Sequence, residues 1–303
     1  MEEIFEEVYS KVNDLSKDVL KDAKKTQLKI LLITAIILVV ASVIIYFKVK
    51  SKNIIPLIIT ISVGILLFVY FMGNKFFRQK YKDIVIKNLI KIYNSKMYYD
   101  PKYGINMRDY KLADFNNDFN EYYSEDRIFG TLDDGSNFQM AEVVTAVVET
   151  QGSGKNTTTT RNETFSGLYG IIELTKNLLV DVLVVNNSHL NRYSKDRIEI
   201  DSSEFEEFYD LITKDKIMAL RIFTPEIIEK FNELRREHPK YGFELKLVND
   251  KIFYRFRCGH DLFEPPIFKS SLDKKSLEKY FKLIYYTIEL SNALAKSISN
   301  IED

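Results

Sequence analysis

Two uninterrupted apolar segments constrain the fold of this chain more than any other feature of its sequence. Residues 30–47 contain no charged side chain, and residues 53–74 form a second charge-free segment dominated by Ile, Leu, Val and Phe. At about 1.5 Å per helical residue the segments reach ~27 and ~33 Å, close to the ~30 Å hydrocarbon core of a bilayer. Helices buried in a soluble core usually carry a charged or strongly polar edge, which these lack. The sequence therefore predicts an integral membrane protein with two transmembrane helices.

Residues 28–74 are predicted to form a tight helical hairpin, because only residues 48–52 connect the two spans. Since 29 residues precede Ile30 and a second apolar segment follows, a cleaved signal peptide does not fit the pattern. Lysine and arginine are more frequent on the two outer flanks than in the connection, which carries three lysines. The positive-inside rule then predicts that both termini, and everything beyond Gly73, lie in the cytoplasm.

Residues 1–27 are predicted to form an amphipathic cytoplasmic leader helix. Its apolar stripe consists of Val8, Val12, Leu15 and Val19, spaced four, three and four residues apart. Acidic side chains outnumber lysines in this leader. The leader is thus an acidic helix that the hairpin returns to the same membrane face as the segment after the second span.

Residues 75–96 are predicted to form a basic juxtamembrane helix with Asp83 as its one acidic residue. Antiparallel pairing with the acidic leader is one hypothesis for this basic charge. A second is contact with anionic lipid headgroups, worth about 1 kcal/mol per charge. The cations named for that contact are Lys75, Arg78, Lys80 and Lys82. Ordinary positive-inside flanking would also explain them.

Residues 97–303 read as a cytoplasmic α+β domain with an antiparallel sheet and helices late in the chain. The predicted strands cover residues 125–132, 137–151, 164–174, 179–185, 198–200, 243–248 and 251–257. The predicted helices cover residues 203–209, 215–220, 224–237 and 274–297. Asp133-Asp134-Gly135-Ser136 is a hairpin turn, and Thr224 and Pro225 supply an N-cap and a first-turn proline. The last helix carries an apolar stripe of Leu277, Phe281, Ile284, Ile288 and Ala295.

A glycine-rich segment at residues 151–157 resembles a phosphate-binding loop but departs from it at two positions. Asn156 stands where Ser or Thr should follow the lysine to bind magnesium, and Glu149 stands where the first glycine should be. The segment is interpreted as the tip of a hairpin.

The chemistry-bearing side chains do not form a recognisable catalytic or metal-binding motif. Cys258, His260 and Asp261 are close in sequence, but neighbouring strand residues point to opposite faces, and His189 and His238 lack zinc-ligand spacing with them. The acidic pairs Glu125-Asp126, Glu206-Glu207 and Asp133-Asp134 are expected by chance in a chain that is 28% charged. No catalytic residue, cofactor or metal is predicted.

Charge and cysteine content narrow the possible partners and compartment. The 43 basic and 43 acidic side chains cancel, which leaves no whole-chain basic field for binding nucleic acid. No nucleic-acid partner is therefore predicted. The single cysteine excludes an internal disulfide and fits a reducing compartment.

Six short strings occur in an order that resembles a known family. They are EDRIFG at 125–130, FQMAEV at 138–143, FSGLY at 165–169, IEIDSSEFEEF at 198–208, ALRIFTP at 219–225 and LFEP at 262–265. With two preceding spans, the chain resembles the bacterial membrane proteins of domain-of-unknown-function family 3137 over residues 81–268. Ala219-Leu220-Arg221 departs from the family's usual Ala-Arg-Tyr. The resemblance implies membrane anchoring and one folded domain, and it brings no catalytic residue. The expected location is a bacterial inner membrane, with both termini in the cytoplasm.

Three functions remain open from the sequence. The first is a membrane-anchored, cytoplasm-facing module that binds a protein partner or a membrane component without catalysis. The second is an enzyme that acts on a lipid or envelope precursor at the membrane surface. Transport is a weaker third possibility, because the spans contain no ionisable side chain other than tyrosine.

Overall fold

The computed structural model describes residues 1–49, 55–115, 117–152, 157–188, 194–266 and 270–301. The chain divides into two compact units. Unit 1 comprises Met1–Ile92 and Glu264–Lys274, and unit 2 comprises Tyr93–Phe263 and Lys275–Asp303. The predicted α+β class, with long apolar N-terminal helices followed by an antiparallel sheet and late helices, is confirmed.

Unit 1 is built from long helices. Helix α1 covers Glu2–Val49 and α2 covers Ile55–Tyr81, followed by a π-helical turn at Lys82–Ile86 and by α3 at Lys87–Tyr93. The leader and the first predicted span form one continuous helix, since no proline or glycine interrupts residues 2–49. Helices α1 and α2 contact each other, consistent with the predicted hairpin. Residues 50–54 of the connection lie outside the described residues.

The buried face of the leader differs in part from its predicted stripe. Val8 and Val12 are buried as predicted, whereas Leu15 and Val19 are 57% and 43% exposed, so the prediction was wrong for these two. The buried residue after Val12 is Ser16, four residues later. Because Ser16 is small and polar, an apolar pattern does not identify it. Its complete set is Phe5, Val8, Val12, Ser16, Leu20 and Ala23.

The apolar parts of α1 and α2 are exposed. In the most apolar 18-residue stretch of each helix, no residue is buried. A core helix of a soluble protein would bury most of this surface. Both helices are therefore long and apolar enough to cross a membrane, by length and composition.

Unit 2 is organised around a nine-stranded sheet in which all described pairs are antiparallel. The strand order is β1-β2-β3-β4-β9-β8-β5-β7-β6. The strands are β1 Met97–Asp100, β2 Glu121–Thr131, β3 Asn137–Gln151, β4 Thr158–Glu173, β5 Asp181–Asn186, β6 Arg197–Ile198, β7 Tyr209–Ile212, β8 Gly242–Val248 and β9 Lys251–Arg257. The remaining helices are α4 Met107–Leu112, α5 Ser203–Phe208, α6 Lys216–Ile222, α7 Pro225–Glu237 and α8 Lys274–Ser299.

Most predicted elements of unit 2 are confirmed, with informative differences. Strands β3 and β9 have the predicted bounds, and all five predicted stripe residues of α8 are buried. Strand β4 begins at Thr158 rather than 164, because it pairs with β3 out to Gln151. Strands β1 and β7 and helix α4 were not predicted. Pro225 opens α7 as predicted, but the Thr224 side chain makes no capping hydrogen bond.

Candidate functional site

The basic segment after the second apolar stretch is the first candidate site. Lys75 and Arg78 are exposed at the end of α2, and the Nζ of Lys80 lies 5.1 Å from the centroid of the Phe76 ring. Lys82 differs from these three in exposure, because its side chain is only 6% exposed. Its Nζ lies 3.0 Å from Glu264 Oε1. A headgroup-binding surface would therefore rest on Lys75, Arg78 and Lys80.

Glu264, in the Glu264–Lys274 part of unit 1, forms ion pairs at the end of α2 and in the π-helical turn that follows it. Its Oε2 lies 3.4 Å from Arg78 Nε, in addition to the Lys82 contact, and its own side chain is 14% exposed. Breaking a pair this buried is costly, because it leaves an uncompensated charge. The same segment contacts α1, where the hydroxyl of Tyr9 donates to the Leu272 carbonyl at 3.2 Å. Antiparallel ion pairing between leader and basic segment thus remains a hypothesis, since the pairs seen for Arg78 and Lys82 use Glu264.

A polar contact joins α1 and α2 at the ends of their apolar stretches. The amide Nε2 of Gln27 donates to Asn74 Oδ1 at 2.8 Å. Gly73 permits this approach, because a Cβ at that position would lie 2.9 Å from Gln27 Cγ.

In unit 2, the carboxylate of Glu142 holds the loop after β9. It lies in the middle of β3, is 2% exposed, and accepts hydrogen bonds from the backbone N–H of Asp261 at 2.7 Å and of Leu262 at 3.1 Å. Burial raises the pKa of Glu142 to about 7. The two backbone hydrogen bonds lower this pKa, and the negative charges of Asp126 and Glu125 raise it. Glu142 is therefore a carboxylate that changes charge near neutral pH.

Asp126 lies beside this carboxylate on a β-bulge of β2. The register of β2 against β3 shifts between Glu125 and Ile128, and Asp126 has a φ of +59°. The side chain is completely buried and accepts a hydrogen bond from the hydroxyl of Tyr99. The acidic pair Glu125-Asp126 thus contributes one buried, hydrogen-bonded carboxylate rather than two facing ones.

Cys258, His260 and Asp261 do not converge on one site in the structure. Burial raises the pKa of the Cys258 thiol to about 12, which disfavours a nucleophilic thiolate. His260 Nδ1 instead lies 3.2 Å from the Oγ of Ser166 on β4, while Asp261 Oδ2 is 3.8 Å from His260 Nε2. Sequence reasoning missed Ser166, because 94 residues separate it from His260.

The remaining sequence candidates have structural roles or lie outside the described residues. Glu206 pairs with Arg197, and Asp133 lies 2.8 Å from Lys96. The segment 153–156 and His189 fall among the undescribed positions, although β3 and β4 pair up to Gln151 and Thr158 on either side of that segment. Among the described residues, no three His, Cys, Asp or Glu side chains are placed to hold a metal ion.

Comparison with known families gives one match, which lies in the second half of the chain. A family model described as a protein of unknown function, DUF3137, matches residues 163–296. These residues belong to the DUF3137 family. No curated protein and no solved structure matches the chain. The family read from the sequence is therefore confirmed, with a match that begins at residue 163 rather than 81 and ends at residue 296 rather than 268. Bacterial origin stays a prediction.

The DUF3137 match divides the candidate residues into two groups. Ser166, His260 and Glu264 lie inside the matched range, which begins in β4 and ends in α8. Glu142, Asp126 and the basic segment precede it. The family description assigns no activity, so a function must be argued from the geometry.

Proposed function

We propose that this protein is a membrane-anchored module whose DUF3137-containing unit faces the cytoplasm and binds a protein partner or a membrane component without catalysis. One observation carries the proposal: no residue in the most apolar stretch of α1 or of α2 is buried. Apolar surface of this length is unfavourable in water and matches a bilayer core in thickness. The bilayer is then the solvent of these helices, and unit 2 is covalently anchored to it.

The basic segment supports an anionic lipid as the membrane component. Lys75 and Arg78 are exposed immediately after the second span, and Lys80 is half-buried against Phe76. Each cation near an anionic membrane surface contributes about 1 kcal/mol of attraction. Acidic phospholipids of the inner leaflet are the component that this surface fits best.

Orientation is tested with single cysteines in a Cys258→Ser background. Position 51 in the connection and position 3 in the leader each receive a cysteine, and intact cells are treated with a membrane-impermeant maleimide. We expect Ser51→Cys to be labelled and Glu3→Cys to be labelled only after lysis. The opposite pattern would place both termini outside. Native Cys258 is a poor reporter, because burial raises the pKa of its thiol.

Lipid contact is tested with an introduced tryptophan, since the chain contains none. Phe76→Trp places the fluorophore on the exposed face beside Lys75 and Lys80. In proteoliposomes we expect brominated phosphatidylglycerol to quench it more than brominated phosphatidylcholine. Changing Lys75, Arg78 and Lys80 to Gln should remove that difference. The same change at the exposed Lys102, Lys195 and Lys214 of unit 2 should not.

The alternative, an enzyme acting on a lipid or envelope precursor, is favoured by the contact between Ser166 Oγ and His260 Nδ1 at 3.2 Å. A hydroxyl beside an imidazole is the core of an activated serine nucleophile. A fluorophosphonate probe should then label wild type but neither Ser166→Ala nor His260→Ala. Absence of labelling in the wild type would leave the binding module as the function.

A further inference from the structure

A cavity of about 520 Å³ in unit 2 is lined by the end of α7 and one face of α8. Residues 237–241 contribute one wall. The other wall is formed by Lys275, Glu278, Lys279 and Lys282, whose spacing of three and four residues places them on the same helix face. The cavity is therefore lined by side chains from one turn and one helix that are mostly charged.

The two carboxylates of this cavity are committed to one lysine. Lys282 Nζ lies 3.0 Å from Glu237 Oε2 and 3.3 Å from Glu278 Oε1. The two carboxylates and the one ammonium together leave a net charge of about −1.

The other three lysines of the cavity lack such partners. No described residue forms an ion pair with Lys240, Lys275 or Lys279. Lys275 and Lys279 are four residues apart, an arrangement that destabilises a helix through like-charge repulsion. They also lie near the N-terminal end of α8, whose first turn contains no acidic residue. An anion in the cavity would relieve this repulsion.

The two ring side chains that line the cavity, His238 and Tyr241, add no positive charge to that of the lysines. His238 is 7% exposed, and its ring stacks on Tyr241 with centroids 5.2 Å apart and planes 5° apart. Burial lowers the pKa of His238 to about 4. The charges of Lys279 and Lys282 also lower this pKa, whereas the charge of Glu237 raises it. The imidazole is neutral at physiological pH, and its titration reports the electrostatic field of the lysines.

We propose that this cavity binds a phosphate group through Lys240, Lys275 and Lys279. Three ammonium groups suit a doubly charged phosphate better than a singly charged carboxylate, and lysine is a common phosphate binder. The volume leaves room for more than the phosphate itself. The bearer is a phosphorylated small molecule or the headgroup of a phospholipid. The lysines of this site belong to unit 2 and are not those of the basic segment, so the proposal does not rest on the proposed membrane function.

Calorimetry on the full chain in phosphatidylcholine nanodiscs, with pyrophosphate as the probe, tests the site. We expect saturable binding that Lys275→Gln combined with Lys279→Gln weakens about tenfold or more. Lys240→Gln, on the opposite wall, should weaken it as well. Lys296→Gln is the matched control, since it removes one charge from the exposed last turn of the same helix. It should retain affinity within about twofold.

A second readout follows the imidazole of His238 by NMR, which is practical because the chain has three histidines. Pyrophosphate should raise the pKa of His238, because a bound anion offsets the lysine charges. No saturable heat, an unchanged His238 pKa, or an equal loss of affinity in Lys296→Gln would overturn the proposal.

The source of the phosphate is distinguished by the composition of the discs. If discs containing phosphatidic acid raise the His238 pKa and block pyrophosphate, the site holds a lipid headgroup. If pyrophosphate binds equally in both kinds of disc, the site holds a soluble phosphate ester. Either result supports phosphate recognition by these lysines.

Discussion

Strand β3 and the first apolar stretch of α1 have similar side chains but opposite environments. Met140 and Val143 in β3 have no exposed surface, whereas Leu32 and Val39 in α1 are 63% and 64% exposed. Apolar composition alone therefore does not separate a core from a span. The distinguishing features are the length of the stretch and the absence of charge within it, because a bilayer requires both. Most apolar side chains of the sheet in unit 2 are buried, whereas no residue in the most apolar stretches of α1 and α2 is.

The largest expected effect comes from truncating the core of unit 2. Phe256 in β9 is 1% exposed, and its ring centroid lies 4.5 Å from that of Phe243. Phe256→Ala should lower the free energy of unfolding of unit 2 by about 3–5 kcal/mol through lost burial and a new cavity. Pulse proteolysis in urea measures this. Phe71→Ala in α2, where Phe71 is 65% exposed, should leave it unchanged. Equal losses would erase the contrast between the two units.

The next effect concerns charged substitutions at exposed positions, which should be costly in a membrane span and tolerated at a water-exposed surface. Val40 of α1 is 53% exposed and Ile217 of α6 is 77% exposed, so an aspartate at either site would be harmless in water. Near the middle of a span it costs about 2.5–3.5 kcal/mol of insertion free energy. Val40→Asp should therefore reduce the fraction retained in membranes after carbonate extraction, and Ile217→Asp should not. Full retention of Val40→Asp would argue against α1 as a span.

A smaller effect concerns Glu142 and depends on pH. Its pKa is about 7 in the folded protein against 4.5 for a free carboxyl, so its protonation stabilises the fold fully below pH 4.5. That contribution, roughly 2–3 kcal/mol, is lost as pH rises from 4.5 to 7. Glu142→Gln cannot titrate. The wild type should therefore lose stability relative to this variant across that window.

Hydrogen exchange locates the effect of Glu142 on the loop. The N–H groups of Asp261 and Leu262, which donate to this carboxylate, should exchange faster in Glu142→Gln at pH 8, where the wild type offers two acceptor oxygens that share one negative charge. Glu125→Gln, a neighbouring but half-buried carboxyl, provides the control and should leave both amides protected. A stability difference that is constant with pH would rule out titration of Glu142 in this window.

Local patterns were sufficient to predict much of the fold. The apolar lengths predicted the two long helices, Asp133-Asp134-Gly135-Ser136 predicted the turn between β2 and β3, and the stripe of α8 predicted its buried face. In each case the signal lies within one element or one turn, as a continuous apolar length, a turn sequence or a helical period. Val12-to-Ser16 shows the limit, because a small polar residue can occupy a buried position that apolar periodicity assigns elsewhere.

The polar sites could not be predicted in this way. Glu142 meets Asp261 across 119 residues, and Ser166 meets His260 across 94. Lys82 belongs to the same basic segment as Lys75, Arg78 and Lys80, yet it is buried and pairs with Glu264 from a distant part of the sequence. Such contacts depend on strand register and on long-range connection, neither of which is encoded in the spacing of the residues that form them.

The smallest effect compares polar pairs in the two units. Gln27 and Asn74 join α1 to α2 at 2.8 Å, and Lys251 and Glu173 join β9 to β4 at 2.6 Å on a partly exposed surface. Double-mutant cycles with alanine should give a coupling of about 0.6 kcal/mol for the helix pair and about 0.2–1 kcal/mol for the strand pair. Salt should weaken only the strand pair, because the amide pair carries no net charge. Thermal unfolding at low and high salt measures both. If the helix pair also weakens with salt, its contribution is not a neutral hydrogen bond between helices, and the contrast between the units would not extend to their polar contacts.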